Sequence, residues 1–112
     1  MLLINTFSPN MIDMHDSSSD FEGFTSHFEK LTPAQAYNWL EKDGFVSAIS
    51  SKEVAHLFGA ILQIPLLVNN VKISMSSGSQ AILGLYKGPK IRNRQSRLTA
   101  GAVIRWYLVT ID

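Results

Sequence analysis

The sequence predicts an α/β fold: one small domain over residues 1–112, with a mixed β-sheet of about five strands and two main helices packed on it. Three observations lead there. Apolar segments of strand length stand near both ends, Leu2–Phe7 and Ile104–Ile111. Two segments with helical spacing, each opened by a capping signal, stand between them. A hydrophobic content of 46% in 112 residues is enough to fill one core.

The first segment, Leu2–Phe7, is a buried strand closed by the breaker Ser8-Pro9-Asn10. Side chains of Ser8 and Asn10 suit two tasks equally: satisfying loop backbone, or holding a ligand at the carboxyl end of the strand. Residues 13–20, with Asp13, His15, Asp16 and three serines, read as an exposed mobile loop whose spacing specifies no metal site. Phe21–Phe28 suggests a second strand. Leu31-Thr32-Pro33-Ala34-Gln35 opens a helix, with Thr32 as cap, Pro33 at the first position and Gln35 completing a capping box. Ala36, Trp39 and Leu40 form its buried stripe, and Asp43-Gly44 ends it.

The central stretch, Phe45–Leu62, changes period at Ser50-Ser51. Val54, Leu57, Phe58 and Ile61 then recur on one helical face, and Ser50 with Glu53 matches a capping box. A strand or loop thus feeds a capped helix whose amino end suits an anion. Lys52 in the first turn opposes the helix dipole, a small cost that an anion would offset. Two readings stay open here: an anion site at Ser50, Ser51 and Lys52, or a solvated Lys52 beside an ordinary cap.

Leu66–Val68 and Val71–Met75 read as strands joined by a turn or bulge at Asn69-Asn70. Ser76–Ser79 is a turn, and Ala81–Tyr86 a further strand. Lys87–Arg97 is a basic loop without an acid, expected to be mobile, and Thr99–Val103 permits one helical turn.

Charge is unevenly spread. Seven of the nine acids lie between Asp13 and Asp43, while seven bases and one acid, Asp112, follow Glu53. The basic carboxy half can meet an anionic partner, with Lys87 as a point charge and Arg92 as a fork; equally, it can neutralise the acidic half across the surface. The absence of cysteine excludes disulfides and thiol chemistry and fits the cytoplasm. No basic segment precedes the first apolar residues and no apolar run is long enough to span a bilayer, so neither a signal peptide nor a membrane partner is expected.

Three pieces together resemble the viral anti-CRISPR ring nuclease family, small homodimers that bind and cleave cyclic oligoadenylate. Leu3-Ile4-Asn5-Thr6-Phe7-Ser8-Pro9-Asn10-Met11-Ile12 is similar to the family's "NAFSxNML" opening, Ala48-Ile49-Ser50-Ser51-Lys52-Glu53 to its "AIGHDST", and Asn69-Asn70-Val71 to its "KNRV". The resemblance spans most of the chain except residues 13–30 and 87–97. It implies a dimer cleft in which Ser8, Asn10, Ser50, Ser51 and Lys52 surround phosphates, with neither metal nor cofactor, in the host cytoplasm. The basic loop, with Lys87 and Arg92, would extend or cover that cleft.

One departure is chemical: the family's catalytic histidine falls on Ser51. General acid work needs a group titrating near the operating pH, which a serine hydroxyl does not. The family's Arg and acidic pair is not reproduced either: Lys87 stands near the Arg position, followed by Gly88, Pro89 and Lys90. The expectation is a counter-defence protein that sequesters its cyclic nucleotide or cleaves it slowly by positioning alone. Two alternatives stand beside it: an active ring nuclease whose acid has moved, His15 being the candidate, and a nucleic-acid-binding or protein-interaction module built on the 87–97 loop, Tyr86 and the last strand.

Overall fold

The computed structural model describes residues 1–8, 11 and 25–112. Five strands and two helices follow in the order β1 (Leu2–Ile4), β2 (Ser26–Leu31), α1 (Pro33–Asp43), β3 (Val46–Ser47), α2 (Lys52–Leu62), β4 (Gln80–Lys87) and β5 (Val103–Ile111). They form one mixed sheet in the order β2-β5-β4-β1-β3. β1 pairs in parallel with β3 (Leu3 opposite Ser47) and with β4 (Leu3 opposite Ile82), whereas β5 is antiparallel to both β4 and β2. The mixed sheet with two helices is the predicted architecture.

The pleat sorts the apolar residues between two layers. Leu3, Ile82, Trp106 and Leu108 face the helices, where Ala36, Leu40, Ala55, Phe58 and Leu62 meet them. Their neighbours Ile4, Ala81, Leu83, Val109 and Ile111 face the other way, against Met75. β5 lies between β2 and β4, so both its backbone edges are used within the sheet; its Trp106, Leu108, Val109 and Ile111 are core, while Val103 is exposed.

The first helix follows its signals. The Thr32 hydroxyl accepts from Gln35 N at 3.1 Å, Thr32 N donates to Gln35 Oε1 at 2.9 Å, and Gly44 closes the helix at φ 71°. The second helix starts one residue later than its box motif implies. Ser51, not Ser50, is the cap: its hydroxyl accepts from Val54 N at 3.3 Å, while Ser50 is exposed. Ile49 is fully buried and its carbonyl accepts from Asn69 N at 3.0 Å, and the cap itself, Ser51, is extended at φ −86°, ψ 123°.

Residues 66–75 depart from the predicted pair of strands. Only Met75 forms an isolated bridge, its N–H donating to Met11 O at 2.6 Å. The cause is the placement of the apolar residues. Leu66 packs against the helix-side core, whereas Ile73 and Met75 pack on the opposite face. The segment therefore wraps around the β3 edge, held there by Asn69 Nδ2 donating to Ser47 O at 2.7 Å. Leu67, 82% exposed, lies on this crossing. Smaller differences are a first strand that ends at Ile4 and a second shifted to Ser26–Leu31, with Phe21 and Phe24 outside the described residues. Thr99–Ala102 is a turn rather than a helical turn, closed by Ala102 N donating to Thr99 O at 3.0 Å.

At the centre of the helix-side core, the rings of Phe58 and Trp106 meet edge-on at 4.9 Å, directly over Gly84. A Cβ at Gly84 would stand 2.6 Å from Phe58 and 2.7 Å from Trp106. Neither ring has room to retreat from a packed interior. Gly84→Ala is expected to destabilise by about 1–3 kcal/mol, the usual cost of overpacking, read as a Tm lowered by several degrees. Capping gives a second test. Ser51→Ala is expected to lose about 1 kcal/mol in denaturant unfolding, and Ser50→Ala almost none; equal losses would contradict the assignment of the cap.

Candidate functional site

The parallel strands β1, β3 and β4 all run toward one edge of the sheet. Their carboxyl ends release the segments in which the sequence placed its candidate residues. Ser8 follows β1, and its carbonyl accepts from Met11 N at 3.0 Å. Ser50, Ser51 and Lys52 follow β3 at the amino end of α2, and Lys87 is the last residue of β4. In sheets with parallel strands this edge is where loops and helix amino ends converge, and where ligands bind.

At α2 the helix start is partly committed to structure. Ser51 Oγ accepts from Val54 N and lies 3.4 Å from Glu53 Oε2, to which its hydroxyl donates. The Ser51 side chain is therefore held by its own helix. Ser50 and Lys52 are exposed beside it. Glu53 carries the site further: it lines an open groove of ≈ 580 Å³ together with Lys90, Arg92 and Asn93. The helix start and the basic loop, 37 residues apart from Glu53 to Lys90 in sequence, thus form two walls of one hollow.

The basic loop has an internal organisation. Ile91 is buried, at 9% exposure, and anchors it. The Tyr86 hydroxyl donates to Pro89 O across the base of the loop. Gly88, at φ 153°, brings the backbone against Ala102, where a Cβ would lie 2.8 Å from that residue's Cα. Beyond it, Arg92 N donates to Gln95 Oε1 at 3.0 Å and Gln95 Nε2 donates to Arg97 O at 2.9 Å. Lys87, Lys90, Arg92, Arg94 and Arg97 are all exposed around this framework. The electrostatic character is that of a cationic rim with Glu53 as the acid among the named groove residues, suited to a multiply charged anion.

The structure therefore brings Ser50, Ser51 and Lys52 beside the groove that Arg92 lines, and sets Ser8 and Lys87 on the same edge of the sheet. Asn10 and His15 lie outside the described residues. Among the described residues, no group of three or more His, Asp or Glu side chains is placed to hold a metal ion, and no helix is long and apolar enough to cross a membrane. Sequence reasoning passed over two contributors. Glu53 was read only as a capping partner, although its position in the first turn of a helix at a strand's carboxyl end was a signal. Gln95 stood unremarked among the bases; an amide side chain inside a charged loop was the available clue.

Comparison with known proteins bears on the fold. The chain superimposes on B116 of Sulfolobus turreted icosahedral virus (STIV) with a TM-score of 0.67 and 19% identity, over 97% of each chain. A search of curated proteins finds no relative. A family model described as STIV B116-like matches residues 1–98, which include both helices, the carboxyl edge and the basic loop. The chain belongs to the STIV B116-like family.

Proposed function

We propose that the protein is a counter-defence factor that binds a cyclic oligonucleotide second messenger of the cyclic oligoadenylate class, in a cleft formed by a homodimer in the host cytoplasm. The observation that carries this reading is the meeting of the α2 amino end with the basic loop around one groove, lined by Glu53, Lys90 and Arg92. A ring of phosphodiesters needs several cationic and N–H donors from different segments, and two such segments, the start of α2 and the basic loop, meet at this groove. The sequence resemblance of the Ser8, Ser50–Lys52 and Asn69–Val71 pieces to ring nucleases supports the same reading, and membership of a family named for a viral protein agrees with a viral setting.

Sequestration is favoured over efficient cleavage. Scission of the ring by a ribose 2′-hydroxyl forms the O2′–P bond and breaks P–O5′, and the departing oxygen needs a proton. The resemblance sets the ring nucleases' histidine at Ser51, which here is bound to its own helix. Its hydroxyl does not titrate near neutral pH. What remains is orientation of the ring, which gives slow turnover at most. A second reading, binding of linear nucleic acid, rests on the exposed Arg92, Arg94 and Arg97 and carries a steep salt dependence.

The test follows purified protein with labelled cyclic oligoadenylates of several ring sizes, resolving intact ring from linear product over time. Tight binding with the ring recovered intact is expected. Ser51→His is expected to raise cleavage by about 10²-fold or more, the usual contribution of a general acid, at a cost of about 1 kcal/mol in stability from the lost cap. Rapid wild-type cleavage would instead support a relocated acid such as His15. Absence of binding to every ring, with salt-sensitive binding to single-stranded oligonucleotides, would move the assignment to nucleic acid.

A further inference from the structure

The basic loop carries a feature that its charge does not explain. Gln95 N donates to Arg92 O at 3.1 Å, closing a four-residue turn from Arg92 to Gln95. Arg94, its third residue, sits at φ 61°. That position in a turn of this kind is ordinarily glycine or asparagine, because a Cβ is strained there. An arginine at the apex is held in an unfavourable backbone conformation, so something else must hold the turn. The Gln95 amide is placed to do so. Its Oε1 accepts from Arg92 N at 3.0 Å and its Nε2 donates to Arg97 O at 2.9 Å. One half-buried side chain thus ties the residues on both sides of the apex.

We infer that Gln95 is a positioning residue for anion binding: it preforms the Arg92–Arg97 turn, so that Arg92, Arg94 and Arg97 are presented to phosphates as a fixed clamp. This rests on the anion-binding reading above. Two hollows adjoin at the turn and share Lys90, Arg92 and Asn93. One is shared with Glu53; the other, of ≈ 550 Å³, is lined by Lys90, Arg92, Gln95 and Thr99 among others. Arg92 lines both hollows, with Arg94 and Arg97 exposed farther along the turn, an arrangement that fits a ligand with several phosphates, such as a bent or cyclic oligonucleotide. Holding the cations in place before binding spares the ordering cost that a loose basic loop meets on contact, and this raises affinity without adding a charge.

The experiment compares wild type with Gln95→Met, which keeps the length of the side chain and removes both hydrogen bonds. The probes are cyclic and linear oligoadenylate, titrated at several salt concentrations, with amide hydrogen exchange at Arg92. Three results are expected together: the Arg92 amide exchanges faster in the variant, affinity falls about tenfold for two lost hydrogen bonds, and the slope of log Kd against log salt is unchanged. Arg92→Ala, by contrast, is expected to lower that slope by about one. Equal affinity of Gln95→Met and wild type would overturn the inference while leaving the anion-binding reading intact. So would fast Arg92 exchange in wild type, or a reduced salt slope in Gln95→Met, which would signal lost charge contacts. Failure of wild type to bind either oligoadenylate would overturn the reading itself and the inference with it. Thermal unfolding of the variant separates these results from a general loss of fold.

Discussion

β1 is three residues long and is paired in parallel on both sides, with β3 and with β4. This constraint organises the molecule. Leu3 and Ile4, both fully buried, point to opposite faces and seed one core layer each. Because β3 and β4 flank β1 in the same direction, the chain between them must return across the sheet, and α2 is part of that return. Its amino end consequently stands at the carboxyl edge of the strands. Farther along the same helix Phe58 lands on Gly84 and Trp106, locking the helix to the two long strands. The packing that stabilises the domain and the placement of the candidate site are thus consequences of one topological arrangement.

Local signals in the sequence carried local structure well. The Thr32-Pro33-Gln35 start, the Gly44 stop and the turn at 76–79 all depend on interactions within a few residues, and each is present; the apolar, β-branched run at 104–111 marked its strand by composition. The failures share a different cause. Whether Leu66, Ile73 and Met75 belong to a hairpin or to a segment wrapping the sheet depends on which face each apolar side chain reaches, and that is settled by the strand order. The shift of the α2 cap from Ser50 to Ser51 likewise follows from Ile49 being pinned by Asn69, twenty residues away. For the site, Ser50–Lys52 and the basic loop were legible as separate features. Their meeting around Glu53 was not, because no periodicity relates residue 53 to residue 90.

The chemistry of the edge is weighted toward holding an anion. Bases are presented from the loop after β4, N–H groups from the start of α2, and the hydroxyl of Ser51 is engaged in capping. A serine at this place stabilises the helix where a histidine would titrate. The proposed preference for binding over cleavage rests on the resemblance, which sets a histidine where Ser51 here caps α2. The hydrogen bonds of the basic turn agree with the proposal: a preformed set of cations would favour retention of a ligand, as sequestration requires.

The most direct test of the account is to map the surface that answers a cyclic oligoadenylate, by following backbone amide resonances during a titration. The account predicts shifts concentrated at Ser8, Ser50–Glu53 and Lys90–Gln95, with the outer face of α1 around Asn38 and Lys42 unmoved. Shifts centred on α1 or β2, or none at saturating ligand, would contradict the placement of the site at the carboxyl edge of the parallel strands.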